Sequence, residues 1–262
     1  MLMLDAKIKS FFTTSSSLFA QMMVLRGTVY RQLENRKTQR IIMNNQTYFI
    51  KQHFGVGWKE IFKNLLQLRL PVISAKKEWQ ALQRLQQLNI PAPILAGYGG
   101  EGINPARCQS FVLTQELPES VSLEELGKQW QNTPPTFRFK QQLITEVARI
   151  ARTLHESGMN HRDFYICHFL LDRQKTQQDK PLLYLIDLHR AQMRRHTPIR
   201  WRIKDLAGLY FSSKDIGLTK RDLLRFMQKY RNKSLSLIVT EEDAFWRRVK
   251  KRGDKLYREH AR

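Results

Sequence analysis

The triplet His161-Arg162-Asp163 carries an aspartate that could accept or orient a hydroxyl proton, and Asp187, after the apolar run Leu185-Ile186, could hold a divalent cation. Upstream, Lys51 closes the run Tyr48-Phe49-Ile50, and Glu78 lies in the next strongly helical stretch. Phosphoryl transfer needs few groups but needs them placed accurately. A lysine holds the α- and β-phosphates, a glutamate holds that lysine, one aspartate addresses the acceptor hydroxyl, and another binds the bridging magnesium. Lys51, Glu78, Asp163 and Asp187 occur in the chain order that kinases use. Each has an ordinary reading when taken alone: a loop residue after a helix for Asp163, a strand-end turn for Asp187, a solvated edge lysine for Lys51. Glu60 and Glu101 compete with Glu78, whose place on a helix face after Lys51 favours it. The four together, each at an element end, point to a nucleotide-dependent phosphotransfer site.

The elements that must position them follow from periodicity. Val29-Tyr30, Ile41 to Met43 and Tyr48 to Lys51 predict short strands, with Asn44-Asn45 as a hairpin turn. Trp58 to Leu68 predicts an amphipathic helix broken at Pro71, and Lys77 to Leu88 a second with Trp79, Leu82 and Leu85 on one face. Pro91 to Gly102 reads as turn and strand, Phe111 to Leu117 as a buried strand, and Ser122-x-x-Glu125 as a capping box. Phe139 to Ser157 predicts a long helix with Leu143, Val147, Ile150 and Leu154 on one face, stopped by Gly158. Two short apolar strands follow, Phe169 to Leu171 and Leu182 to Ile186, and the remainder is helical. The expected fold class is therefore α+β, a protein-kinase-like bilobal arrangement with a small β-rich N-lobe and a larger, mainly helical C-lobe. Residues 1–23 read as a helical or flexible N-terminal extension, 24–117 as the N-lobe and hinge, and 118–262 as the C-lobe with a helical tail.

Bulk properties narrow the partners. The 262 residues suffice for a well-buried core, and a hydrophobic fraction of 42% argues against disorder. The formal charge of +22 suits nucleic acid, anionic lipid headgroups or a phosphorylated glycan, and does not choose among them. Cys108 and Cys167 lie far apart without metal-ligand spacing, so neither a disulfide framework nor a zinc site is indicated. Lys7 and Lys9 precede an apolar-leaning run from Phe11 to Leu25, interrupted at Thr13 to Ser17 and lacking a clean cleavage site. That run reads as a docked helix or a peripheral membrane contact rather than a signal peptide. No stretch approaches the ~18 apolar residues of a spanning helix.

The chain departs from a protein kinase in four places. His168 stands five residues after Asp163, where a metal-binding Asn is usual, and Leu188-His189 follows Asp187 in place of Phe-Gly. Gly27 stands alone where a glycine-rich loop would lie, and no Ala-Pro-Glu element follows Asp187. A protein substrate is therefore not expected.

The run from Asn160 to Leu171 (Asn-His-Arg-Asp-Phe-Tyr-Ile-Cys-His-Phe-Leu-Leu) and the run from Ile186 to Gln192 (Ile-Asp-Leu-His-Arg-Ala-Gln) resemble the bacterial lipopolysaccharide core heptose(I) kinase family. Lys204-Asp205-Leu206, Gly208 to Ser213, Ile216 to Thr219, Lys63 to Leu66 and Glu78-Trp79 extend the likeness from about Gly27 to about Tyr230. The resemblance implies transfer of the γ-phosphate of ATP, with magnesium, to the first heptose of the inner core, by an enzyme at the cytoplasmic face of the inner membrane. It makes Asp163 the catalytic aspartate, Asp187 a magnesium ligand and Lys51 the phosphate-binding lysine held by Glu78. Adenine would meet the connector backbone at Gln115, Glu116 and Leu117. Asp205 reads as a brace for the catalytic loop, with His161 and Arg162 structural. His168 stays open between a magnesium ligand, a phosphate donor and a brace for Asp163. Arg194, Arg195, Arg200 and Arg202, with Trp201, form either an acceptor-binding patch or a helix start with solvated charges.

Such a precursor is large, anionic and membrane-anchored. Basic side chains near an anionic surface contribute ~1 kcal/mol each, so a handful would dock the protein reversibly. An acidic protein partner is a further fit to the charge, and specific nucleic-acid recognition is not expected. The rival readings are a kinase of the neighbouring octulosonic acid (Kdo) and a non-catalytic kinase-fold scaffold.

Overall fold

Buried residues alternate at Gln39, Ile41 and Met43 on β3 (Arg36–Met43) and at Tyr48, Ile50 and Gln52 on β4 (Gln46–His53), and the two pair in a hairpin whose register ends at Met43 opposite Gln46. Asn44 and Asn45 fill the two-residue turn with φ of 49° and 58°, the left-handed pair that such a turn demands. The hairpin belongs to a six-stranded antiparallel sheet ordered β1-β5-β6-β4-β3-β2, with β1 at Leu2–Leu4, β2 at Thr28–Leu33, β5 at Leu95–Glu101 and β6 at Gln109–Gln115. The computed structural model describes residues 1–12, 17–66, 73–130, 132–176 and 180–260. The chain divides into two units, Met1–Arg84 with Pro93–Leu117, and Leu85–Ala92 with Pro118–Arg262.

The first unit contains the sheet and the helices α1 (Ala6–Lys9), α2 (Leu18–Val24), α3 (Gly57–Leu66) and most of α4 (Lys76–Gln87). Its opening residues, expected as a helical or flexible extension, contribute β1, α1 and α2 to this unit. β1 pairs antiparallel with β5, and Ile8, Phe19 and Met22 enter one apolar cluster with Ile50, Phe111 and Leu113. Two buried glutamines anchor this segment: Gln52 Nε2 donates to the Met22 and Met23 carbonyls, and Gln39 Nε2 donates to Leu25 and to Gln52 Oε1. The carbonyls at the end of α2 are thus satisfied by side chains of β4, which carries Lys51, and of its neighbour β3. The expected helix end at Gln67-Leu68 and the break at Pro71 lie outside the described residues. Among the described residues, no helix is long and apolar enough to cross a membrane.

The second unit is mainly helical: α5 (Leu123–Gln129), α6 (Phe137–Glu156), α7 (Ile199–Ser212), α8 (Lys220–Arg231), α9 (Leu235–Glu241) and α10 (Asp243–His260). Ser122 and Glu125 form the capping box that starts α5. Leu143, Val147, Ile150 and Leu154 are all buried on one face of α6, and each such burial contributes ~2 kcal/mol. Short strands lie before α5 and between α6 and α7. β7 (Ser120–Ser122), β9 (Phe169–Asp172) and β10 (Leu183–Leu185) form one small sheet, and β8 (Met159–Asn160) pairs with β11 (Gln192–Met193) in another. Gly158 ends α6 with φ of 83°, and a Cβ there would lie 1.9 Å from the Arg194 carbonyl oxygen. Both features exclude a side chain. Gly158→Ala should cost ~3 kcal/mol, and a thermal midpoint equal to that of the unaltered protein would show that the turn relaxes freely.

Candidate active site

Lys51 sits mid-strand in β4, opposite Thr38 on β3 and Val112 on β6, so its backbone is held from both sides. Its Nζ donates to Glu78 Oε1 at 2.5 Å, and neither Glu60 nor Glu101 is the partner. Glu78 is fixed in turn because the next residue, Trp79, stacks on Tyr98 of β5 at 4.6 Å between ring centroids. At the end of β6 the N–H groups of Gln115 and Glu116 donate to the Ile94 and Thr47 carbonyls. The Arg40 guanidinium bonds Glu116 through both carboxylate oxygens and holds that carboxyl below the usual range.

In the second unit, topology brings the two aspartate loops together. One loop runs from β8 through Asp163 to a 3-10 turn at Ile166–His168 and into β9; the other runs from β10 through Asp187 to a 3-10 turn at Leu188–Arg190 and into β11. β9 pairs with β10 and β8 with β11, so both loops are clamped at both ends. Between the clamps, Ile186 N–H donates to the His168 carbonyl. His161 Nε2 donates to the Ile186 carbonyl at 2.9 Å, and full burial pushes the His161 pKa down, so the ring is a neutral strut.

Asp205, buried on α7, carries the first loop. Its Oδ2 accepts from the His161 N–H at 2.7 Å and its Oδ1 from the Arg162 N–H at 2.9 Å. Arg162 has φ of 76°, an unusual conformation for a long side chain, and the two charge-assisted bonds hold it there. Behind Asp205, His155 Nε2 approaches Oδ2 at 3.4 Å while its Nδ1 meets the Tyr230 hydroxyl at 2.8 Å. Because a carboxylate only accepts, Nε2 carries the His155 proton and Tyr230 donates to Nδ1.

Asp187 adopts a left-handed conformation with φ of 62°. Its Oδ1 accepts from His189 Nδ1 at 2.6 Å, and its Oδ2 lies 3.6 Å from His168 Nε2. His168 Nδ1 donates to the Asp163 carbonyl at 2.7 Å, so in the neutral ring the Nε2 lone pair is directed toward Asp187. A carboxylate oxygen and an imidazole lone pair converging on one point suit a cation. Among the described residues no group of three or more His, Cys, Asp or Glu could hold a metal. One carboxylate and one neighbour still fit magnesium, which keeps several waters and takes further oxygens from phosphates.

Asp163 itself is engaged by Arg190, whose Nη1 lies 2.8 Å from Oδ1 and 3.1 Å from Oδ2. The four arginines of the expected patch separate. Arg194 bonds Asn160 Oδ1 and Gln192 Oε1, bracing the β8–β11 pair, and Arg202 donates to the Thr197 and His155 carbonyls. Arg195 and Arg200 are exposed. Around the Trp201 ring stand Arg162, Arg194, Arg200 and Lys204, at 5.2–5.6 Å from its centroid. Arg190 and Lys204 are the residues that spacing alone did not single out. Cys108 and Cys167 are both free and half-buried.

A strand lysine paired to a helix glutamate in one unit, and two clamped aspartate loops in the other, define a protein-kinase-like fold. A family model described as the lipopolysaccharide kinase (Kdo/WaaP) family matches residues 20–230, and the chain belongs to that family. It is 46% identical over 240 residues to the lipopolysaccharide core heptose(I) kinase WaaP of Pseudomonas aeruginosa, covering 91% of this chain and 90% of that one. It is likewise 46% identical over 225 residues to the enzyme of that name from Escherichia coli, covering 86% and 85%. A solved structure of WaaP in complex with acyl carrier protein superposes with a TM-score of 0.83 at 40% identity, covering 98% of this chain and 99% of that one.

Removal of the Asp205 carboxylate leaves two buried N–H groups unpaired, each costing ~1–3 kcal/mol. Asp205→Ala should therefore lower the thermal midpoint by several degrees and abolish phosphotransfer. Full activity in a stable variant would show that Asp205 does not hold the loop.

Proposed function

We propose that this protein transfers the γ-phosphate of ATP to the first heptose of the lipopolysaccharide inner core, with Asp163 addressing the acceptor hydroxyl. The observation that carries the reading is the double clamp on the Asp163 and Asp187 loops, together with relatives named as heptose(I) kinases. In this mechanism the acceptor oxygen forms a bond to the γ-phosphorus while the bond to the β–γ bridging oxygen breaks and ADP departs. The hydroxyl proton passes to the Asp163 carboxylate. Arg190, bonded to both carboxylate oxygens, fixes the orientation of that carboxylate toward the acceptor, which suits a loose transition state where positioning carries most of the catalysis. Lys51, steadied by Glu78, holds the α- and β-phosphates. Asp187, with His168 beside it, holds magnesium, which supplies positive charge against the phosphate oxygens. The N–H groups of Gln115 and Glu116 are already bonded, so adenine meets the connector through its remaining polar groups, the Leu117 N–H among them. The enzyme works at the cytoplasmic face of the inner membrane, where its +22 charge draws it to anionic lipid.

Asp163→Asn should lower kcat roughly 10²- to 10⁴-fold with ATP affinity retained, and Asp187→Asn should weaken magnesium-dependent nucleotide binding. Both are read with purified core acceptors and mass measurement of the added phosphate. Retained turnover in Asp163→Asn rules out its role as base, and transfer to acceptors that end before the heptose reassigns the substrate to Kdo.

The solved relative bound to acyl carrier protein, and the strongly basic surface here, support an acidic carrier protein as a partner of this chain too. The second unit also encloses an apolar cavity of about 320 Å³ lined by Leu143, Val147, Leu206, Leu209, Phe226 and Val249, among others, which suits an acyl chain. Acyl-loaded carrier protein should raise the thermal midpoint more than the unloaded carrier does, and equal shifts would exclude the cavity from the interaction.

A further inference from the structure

We propose that Arg162, Arg200 and Lys204, gathered around the Trp201 ring beside Asp163, form an anion subsite that binds an acidic group of the acceptor, carboxylate or phosphate. The inference rests on the phosphotransfer reading and gives it a substrate-recognition element. Lys204 Nζ stands 5.2 Å from the Trp201 centroid, with the Arg162 guanidinium at 5.3 Å, Arg200 at 5.5 Å and Arg194 at 5.6 Å. A structural stack on an indole needs one cation on a face, and gathering four like charges there is repulsive.

Neutralising groups are already committed. Asp163 is bonded by Arg190, and both Asp205 oxygens are occupied by backbone N–H groups. Arg194 is bonded to two neutral amides, which leave its charge in place. Among the described residues, no hydrogen bond or ion pair engages the side chains of Arg162, Arg200 or Lys204, and Arg162 Nε is buried without a partner. Burial, then the charges of Arg162, Arg252 and Arg190, push the Lys204 pKa down, which is what an uncompensated cationic pocket does to an ammonium group. An acidic ligand would remove this repulsion and pair with the arginine forks. Arg162, one of the cations on the ring, directly precedes Asp163 in the chain, which assigns the pocket to the acceptor side of the site.

The test measures equilibrium binding of a water-soluble, deacylated heptose-containing core saccharide to the full-length protein without nucleotide, and ATP binding separately. Lys204→Met should weaken saccharide binding about tenfold or more and Arg200→Gln severalfold, with ATP affinity held within about twofold. A saccharide with its carboxylates reduced to alcohols, and one treated with phosphatase, identify the group. The modified saccharide that binds the unaltered protein weakly should lose nothing further with Lys204→Met. Equal binding by the unaltered protein and both variants overturns the subsite, as does a loss confined to ATP. If Lys204→Met fails to fold by circular dichroism, the exposed Arg200→Gln decides. Lys204-dependent saccharide binding without phosphate transfer by the unaltered protein would keep the subsite and remove the kinase reading, whereas no binding by the unaltered protein overturns the subsite itself.

Discussion

One buried carboxylate holds the Asp163 loop in a shape it would not adopt alone. Arg162 in the left-handed region costs ~1–2 kcal/mol, and two hydrogen bonds from backbone N–H groups to a charged acceptor contribute ~1.5–3 kcal/mol each. Asp205 therefore outweighs the strain it imposes, with a margin that also meets part of its own desolvation. The turn at Arg162 directs the following residue, Asp163, away from the backbone trace that β8 would otherwise continue. His155 and Tyr230 stand behind Asp205, so the loop is tied through α7 to α6 and α8.

The second aspartate is fixed by different means. Asp187 also has a positive φ, and the neighbouring Ile186 is held from both its N–H and its carbonyl by the first loop. His161, His168 and His189 each place one ring nitrogen on this frame, two on backbone carbonyls and one on Asp187 itself. Histidine suits the task because a neutral ring can donate from one nitrogen and accept at the other. In His168 that leaves an acceptor facing the carboxylate where a kinase commonly has an amide oxygen.

Legibility in the sequence followed how local each feature is. The β3–β4 hairpin was readable because Asn44-Asn45 and the short apolar runs on either side are contained in a short window, and Gly158 and the Ser122 capping box likewise act within a turn. The N-terminal strand was not, since Leu2 to Leu4 become a strand only through pairing with Gly97 to Gly99, far along the chain. The four residues of the phosphotransfer pattern were visible by type and order, and the Lys51–Glu78 pair is formed as their spacing suggested. The Arg190 contact to Asp163 was hidden for the same reason as β1: it joins two loops 27 residues apart, and a basic residue in a chain with 45 lysines and arginines carries no mark of which one turns inward. Lys204 lies one turn beyond Trp201 on α7, but the arrival of Arg162 from the Asp163 loop on the same ring is non-local.

The pairing of β11 with β8 comes only a few residues after Asp187, and α7 starts at Ile199. The stretch between Leu188 and Pro198 is thus spent on a 3-10 turn, a strand and the approach to a helix. Regulated kinases use the corresponding stretch as a flap whose covalent modification turns output on or off. Here its length is consumed by structure. A covalent modification placed there would have to break a 3-10 turn or a strand pair, because there is no spare length to reorder.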